Sequence, residues 1–282
     1  MIAPVDGSSS NPLPSNPERC TGPDWDPGQY LRFAGHRERA ALELLNRIGA
    51  DRPGQVTDLG CGPGNMTRFL LNRWPGAHLC GVDRSAAMLA TARAEHPGVQ
   101  WMQADAARWQ PTQAQDVIYA NASLHWVKDH AGLFPRLLEC LAPGGWLAVQ
   151  MPLSWHQPSH RLMRETLLDA GPGGAPLGSK SWRVEVSRKW VNSASWYHTL
   201  LARRVEHLDV WESRYMQVLH GQDAVLEWVR GTGLRPFLDG LSPRDAERFL
   251  HRYRERLNAA YPPGEDGVTL FPFRRLFIVA RR

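Results

Sequence analysis

The residues with the clearest chemical capacity lie between Val56 and Asn65, V-T-D-L-G-C-G-P-G-N. Gly60, Gly62 and Gly64 follow a short apolar run and precede a stretch of helical character from Met66 to Trp74. Without a Cβ, such a turn brings backbone close to a ligand and allows positive φ. The spacing G-x-G-x-G, with Asp58 two positions before the first glycine, differs from the G-x-G-x-x-G of dinucleotide sites, where pyrophosphate rests on a helix N-terminus. A carboxylate there would repel pyrophosphate but could pair, directly or through water, with the amino group of a methionine moiety, so the spacing favours a ligand without phosphates. The alternative is an ordinary strand-to-helix turn in which Asp58 caps neighbouring amides.

Two further acids narrow that choice. Asp83 ends the next apolar run about 20 residues past the glycines, where doubly wound nucleotide folds carry a ribose clamp. Arg84 and Met88 follow it and join the cofactor set. Asp105, in Q-A-D-A, suits an adenine amino group, with Ala106 leaving room for the ring. Either acid alone is more often a helix cap. Three acids at successive strand C-termini instead converge on the ligand crevice of such a sheet. Asn121, Ala122 and Ser123, opening N-A-S-L-H-W, follow the fourth strand and belong beside the reactive methyl. Enzymes that methylate exocyclic amines in DNA have (D/N)-P-P-(Y/F/W) at this place, and the chain lacks both prolines.

These residues need a scaffold that delivers strand ends to one crevice. Apolar runs at 56–59, 78–82, 99–103, 116–120 and 146–150 alternate with helical patterns at 66–74, 86–95 and 133–141, broken by Pro and Gly pairs. Strands alternating with helices at this spacing imply parallel βαβ units and a doubly wound sheet. An amphipathic helix over 36–48 precedes them. Beyond Pro152 about forty residues dense in Pro, Gly, Trp and Arg lack strand periodicity and read as an insertion. A helix over 195–203, a strand over 205–218, several short helices between 223 and 260 and a buried strand at 276–280 complete the pattern.

The chain has 282 residues, one large domain or one and a half on a scale of about 150 per domain. No apolar run approaches the roughly 18 residues of a membrane span, and the Ser-, Asn- and Pro-rich residues 1–23 read as a disordered leader, not a signal peptide. Cys20, Cys61, Cys80 and Cys140 show no C-x-x-C pair, so neither zinc nor a disulfide framework is expected, and a cytoplasmic setting fits. The net charge of +5 comes without any block of Lys and Arg, which disfavours nucleic acid as a partner and leaves a small acidic ligand open.

With these motifs in hand, the chain resembles the class I S-adenosylmethionine-dependent methyltransferases, and within them is similar to the branch that esterifies trans-aconitate. The segments that carry the resemblance are W-D-P-G-Q-Y-L-R-F at Trp25, D-L-G-C-G-P-G-N at Asp58, A-N-A-S-L-H-W at Ala120, Q-M-P at Gln150, L-M-R-E at Leu162, W-V-R-G-T-G-L-R-P at Trp228 and R-L-F-I-V-A-R-R at Arg275. The resemblance implies a Rossmann-like α/β fold with a seven-stranded sheet of order 3-2-1-4-5-7-6 in a domain over 24–282, with helical cap insertions at about 152–194 and 222–265. It implies methylation of a carboxylate on a small tricarboxylic acid, and closure of Tyr30 and Arg32 over the cofactor. Residues 170–193 depart from the family pattern.

A carboxylic acid with a pKa near 4 is already ionised at neutral pH, so no general base is expected, and no catalytic residue is named. Alignment and removal of water carry the reaction. A polycarboxylate needs arginines, because buried anionic groups left unpaired cost several kcal/mol. The candidates are Arg161, Arg164, Arg230, Arg235 and Arg275, with Trp126, Trp155 and Trp228 as walls and His125 as a donor. Rival readings are a methyltransferase for another small molecule or for RNA or protein, and a binding protein that retains the fold without turnover.

Overall fold

The structure, a computed structural model, describes residues 34–282. The expectations for residues 1–23, Tyr30 and Arg32 lie outside the described residues. Helix α1 (Ala34–Asn46) leads into the alternating part, β1 (Gln55–Leu59), α2 (Thr67–Arg73), β2 (His78–Asp83), α3 (Ala86–Glu95), β3 (Gln100–Gln103) and β4 (Gln115–Asn121). A single turn at Leu124–Trp126, α4 (His130–Glu139) and β5 (Leu141–Pro152) follow. The remainder is α5 (Pro158–Asp169), α6 (Lys180–Val186), α7 (Ala194–Leu201), β6 (His207–His220), α8 (Ala224–Arg230), α9 (Arg235–Asp239), α10 (Pro243–Ala260) and β7 (Val268–Arg281).

The seven strands form one sheet in the order β3-β2-β1-β4-β5-β7-β6. The first five pair in parallel, whereas β7 is antiparallel to both β5 and β6. Burial on both faces explains why the central strands read as unbroken apolar runs. Val117, Ile118, Tyr119 and Ala120 are all fully buried. One face packs Phe134, Leu137 and Leu138 of α4 with Tyr197 and Leu201 of α7, and the other packs Leu44 and Leu45 of α1 with Leu70 of α2.

Three stretches differ from the sequence expectation. Helix α4 starts at His130 and not at 133, with Pro135 inside it. The Asp129 side chain caps its first turn by accepting from Gly132 N–H at 3.0 Å. Strand β5 begins at Leu141 and takes Pro143, Gly144 and Gly145 through a register irregularity opposite Gln115 and Val117, so the sequence break falls inside the strand. Strand β7 runs from 268 and not from 276, since β6 supplies partners along its whole length, from His220 opposite Val268 to His207 opposite Arg281.

The region beyond Pro152 that lacks strand periodicity contains α5 and α6, and it joins α8 to α10 in a second core above the sheet. Leu162, Met163 and Leu167 of α5 meet Trp228, Phe249, Tyr253 and Leu257, together with Phe271 and Phe273 of β7. Ser159 locks α5 to this cap twice: its carbonyl accepts from Tyr253 O–H at 2.9 Å, and its N–H donates to the Tyr261 oxygen at 3.1 Å. The sheet and the cap thus share β7.

Candidate active site

Two cavities adjoin at the C-terminal ends of the parallel strands, the place where ligands bind in open α/β sheets. The first has a volume of about 140 Å³ and lies on the glycine turn. Asp58, Gly60, Gly62, Asp83, Arg84, Met88, Asp105, Ala106, Asn121, Ala122 and Ser123 all line it.

The turn is built by backbone. Gly60 and Cys61 N–H both donate to Val82 carbonyl, at 2.7 and 3.0 Å, which ties the end of β1 to the end of β2. Gly60, at φ +81°, makes room for a protein neighbour, because a Cβ there would sit 2.1 Å from Ser123 Cβ. Ser123 in turn donates its hydroxyl to Leu59 carbonyl at 2.7 Å. Gly62 differs: at φ +54° a Cβ would meet no protein atom within 4 Å, so its open side faces ligand space. Its N–H donates to Asp83 Oδ2 at 2.9 Å, and Ser85 N–H donates to Asp83 Oδ1 at 2.9 Å. Asp83 is therefore held in one orientation, and each carboxylate oxygen keeps a lone pair for a hydroxyl. Asp105 caps its own turn through Oδ1, which accepts from Ala107 N–H at 2.9 Å.

Asp58 is 3% exposed, and burial, with Asp83 adding repulsion, pushes its carboxyl up to about 7. A cation brought to this point would restore the ionised form. The buried Asn121 Oδ1 has no hydrogen-bond partner among the described residues. An acid short of a cation, an orphaned acceptor and a glycine open to the cavity fit S-adenosylmethionine.

The second cavity, of about 410 Å³, meets the first at Ala122 and Trp126. Its volume lies within the range of small-molecule sites. His125, Trp155, Arg164, Trp228 and Arg275 line it. Arg164 lies over the Trp155 ring at 3.7 Å and donates to the carbonyls of His160 and Trp155. Arg275 is 3% exposed on β7 and donates from Nη1 to Gln150 Oε1 at 3.0 Å. Burial lowers His125 to about 3, with Arg275 adding to the effect, and lowers His160 to about 4, with Arg164 adding to it, so both rings are neutral.

Three of the five arginines singled out from sequence are not brought to this cavity. Arg161 faces outward on α5, paired with Glu165 at 2.6 Å. Arg230 pairs with Glu227 of its own helix at 3.5 Å. Arg235 opens α9, whose next residues Pro236 and Phe237 line the cavity while Arg235 does not. In their place stand residues that sequence reasoning missed: Lys128, His160, Arg188, Lys189 and Trp190, with Ser154, Trp182 and Thr232. Glu185 ties this wall to the loop before α4, 2.5 Å from Lys128 Nζ and 3.8 Å from Arg188 Nε. The signal for Trp182, Arg188, Lys189 and Trp190 was the density of Lys, Arg and Trp between 180 and 190, the segment that departs from the family pattern, whereas Lys128, Ser154, His160 and Thr232 carry no such local signal.

A methyltransferase-domain family model matches residues 33–219. The trans-aconitate 2-methyltransferase of Azoarcus sp. (strain BH72) is 49% identical over 92% of this chain and 100% of its own length. That of Shigella dysenteriae serotype 1 is 43% identical over 92% of this chain and 98% of its own. Among solved structures, the YcgJ protein of Bacillus subtilis superposes with a TM-score of 0.57 at 12% identity, covering 87% of this chain and 98% of that one. Phosphoethanolamine N-methyltransferase 2 of Haemonchus contortus, in complex with S-adenosyl-L-methionine, gives 0.52 at 17%, covering 90% of this chain and 56% of that one. These two show a common fold. The glycine turn, the three acids that face its cavity and the likeness along nearly the whole chain make this protein a member of the trans-aconitate 2-methyltransferase family of S-adenosylmethionine-dependent methyltransferases.

Proposed function

We propose that this chain transfers the methyl group of S-adenosylmethionine to a carboxylate of trans-aconitate, the cofactor held in the smaller cavity and the acid in the larger. The observation that carries this reading is the shared neck at Ala122 and Trp126, which joins a site suited to an aminoacyl nucleoside to one lined by Lys128, Arg164, Arg188, Lys189 and Arg275. When bound, S-adenosylmethionine supplies an electrophilic methyl. Asp58 is suited to its ammonium, Asp83 to its ribose hydroxyls, and Asp105 with Ala106 to its adenine. The cationic side chains offset the charge of a polycarboxylate, and the aromatic walls exclude water from the acceptor. His125 and His160 are neutral, and no proton needs removal from a carboxylate, so alignment and desolvation carry the reaction.

No helix among the described residues is long and apolar enough to cross a membrane. The cysteines at 61, 80 and 140 are unpaired, which fits a reducing cytoplasm.

The test is incubation with methyl-labelled cofactor and a panel of tricarboxylic and dicarboxylic acids. Label in a base-labile ester of trans-aconitate, at a kcat/KM at least about tenfold above that for the other acids, is expected. Equal label on every acid, or none on any, removes the reading.

A further inference from the structure

The second cavity offers two kinds of donor, and the difference between them bears on which carboxylate reacts. Cationic donors are Arg164 and Arg275, with Lys128 and Arg188 near the opening, where the Lys128 side chain is 68% exposed. Neutral donors are His125 and Ser154. Each leaves one polar atom buried without a hydrogen-bond partner among the described residues: Nδ1 of His125 and Oγ of Ser154. Native proteins seldom leave such atoms unmatched, and in a cavity they mark where a ligand's polar atoms belong.

Their placement is toward the neck. His125 adjoins Trp126, which lines both cavities, and the two rings are 4.7 Å apart. Ser154 lies two residues past the end of β5, whose Gln150 pairs with Asn121 at the end of β4. His125 thus follows β4, whose end at Asn121 borders the cofactor cavity, and Ser154 follows β5, the strand paired to it, whereas Arg164 is carried by α5 in the cap.

The chemistry gives these two kinds of donor different work. A carboxylate that attacks carbon must surrender an oxygen lone pair, and the ester it becomes carries no charge. A charge-assisted hydrogen bond is roughly twice as strong as a neutral one and stabilises the ionised ground state most. Whatever binds the ground state better than the transition state slows the reaction. Neutral donors fix the oxygen with a smaller loss of nucleophilicity. Burial and the neighbouring Arg275 keep His125 uncharged, so its ring offers one N–H and no cation.

Resting on the reading of the preceding section, we propose that His125 and Ser154 hold the reacting carboxylate of the tricarboxylate at the neck while Arg164 holds a carboxylate that is not methylated. His125 and Ser154 are thereby catalytic residues that select the position of the ester. One O–CH3 bond forms from a carboxylate lone pair as the S–CH3 bond breaks with its electron pair passing to sulfur. Carboxylate and sulfonium charges cancel, and no proton moves.

The experiment compares the wild-type protein with Ser154→Ala, His125→Ala, His125→Asn and Arg164→Ala. Readouts are kcat, the position of the ester in the product by NMR, and affinity for trans-aconitate by calorimetry in the presence of S-adenosylhomocysteine. Ser154→Ala and His125→Ala are expected to lower kcat by more than about tenfold or to spread the ester over a second carboxylate, with affinity changed less than about threefold. His125→Asn, which keeps an N–H donor, recovers part of the loss. Arg164→Ala weakens affinity more than about tenfold and leaves the ester position unchanged. The proposal is overturned if Ser154→Ala and His125→Ala retain both kcat and ester position, or if they lose affinity in proportion to kcat. A wild-type protein that esterifies no tricarboxylate removes the underlying reading, whereas an active wild type with unaltered variants removes only this assignment.

Discussion

Replacing Asp58 with asparagine separates two effects that one buried carboxyl exerts in opposite directions. In the cofactor-free protein, burial raises this group from 3.8 to about 7. Its folded value lies above its unfolded one, so the fold is favoured with the proton on, and stability declines as pH climbs from about 4 to about 7. At about 1.36 kcal/mol per unit, the penalty in the cofactor-free protein reaches up to about 4 kcal/mol at pH 7 and above. The asparagine side chain carries no charge, so at about pH 8 the cofactor-free Asp58→Asn variant should melt several degrees above the wild type, and at about pH 4 the two should coincide. Cofactor binding moves the other way. An ammonium at Asp58 needs the ionised form, and binding below pH 7 must first release a proton. Affinity for S-adenosylhomocysteine should fall about tenfold per pH unit there, about 30-fold between pH 8 and 5.5, which is about 2 kcal/mol. Calorimetry in two buffers of different ionisation enthalpy reads both the affinity and the proton released. The variant should bind weakly and without this slope. Saturating cofactor holds Asp58 ionised, so kcat should stay flat over the range in which kcat/KM for the cofactor bends. A wild-type affinity that is level between pH 5.5 and 8 would refute the reasoning, as would a variant no more stable than wild type at pH 8.

Gly62→Ala meets no protein atom but adds a methyl at φ +54°, so it should cost about 1 to 2 kcal/mol of stability while weakening cofactor binding by more than about tenfold. Gly60→Ala, whose Cβ would sit 2.1 Å from Ser123 Cβ, should lower the melting temperature more than Gly62→Ala does, measured side by side. Arg161→Ala removes only an exposed pair with Glu165 and should leave KM for trans-aconitate within about twofold, as fits an ion pair of at most about 1 kcal/mol. Glu43 accepts hydrogen bonds from Trp211 Nε1 at 3.0 Å, Ser213 Oγ at 3.1 Å and Tyr215 O–H, joining α1 to β6. Burial pushes its carboxyl up, but these bonds outweigh it and hold it below the usual 4.5. Its stabilisation is therefore present above pH 4.5 and lost as pH falls further. Glu43→Gln should cost about 1 to 3 kcal/mol at about pH 7 in chemical denaturation, and less at about pH 3.

The smaller cavity was legible because its chemistry is local. Each acid sits at the end of its own strand, and the glycines need special backbone angles that only that residue type supplies freely, so spacing alone places Asp58, Asp83 and Asp105 in one crevice. The role of Gly60 was not legible, since its neighbour Ser123 lies far along the chain and meets it only through the pairing of β1 with β4. The larger cavity resisted reading for the same reason. Arg161 and Arg164 are three residues apart on α5, and nothing in their local sequence says which one turns toward Trp155. The facing is set by the packing of Leu162, Met163 and Leu167 against α8 and α10. Lys128 reaches Trp190 only through a contact between segments, lying 5.5 Å from the ring over which Arg188 also sits at 5.7 Å. Periodicity does not register such contacts.

Strand β7 passes from one core to the other without a break. Phe271 and Phe273 belong to the cap and Leu276, Ile278 and Ala280 to the sheet, with Arg275 at the changeover. A ladder paired along its full length to β6 has no joint at which the upper layer could swing against the lower. Two consequences follow for how a charged acid enters and leaves. The cap carried on β7 is a fixed abutment, and the joint open to change is the exposed Lys128–Glu185 pair, which ties α6 of the cap to the loop before α4. Such a latch weakens with salt. Product escape, where it limits turnover, should accordingly quicken with ionic strength while the cofactor, seated on rigid strand ends, is retained.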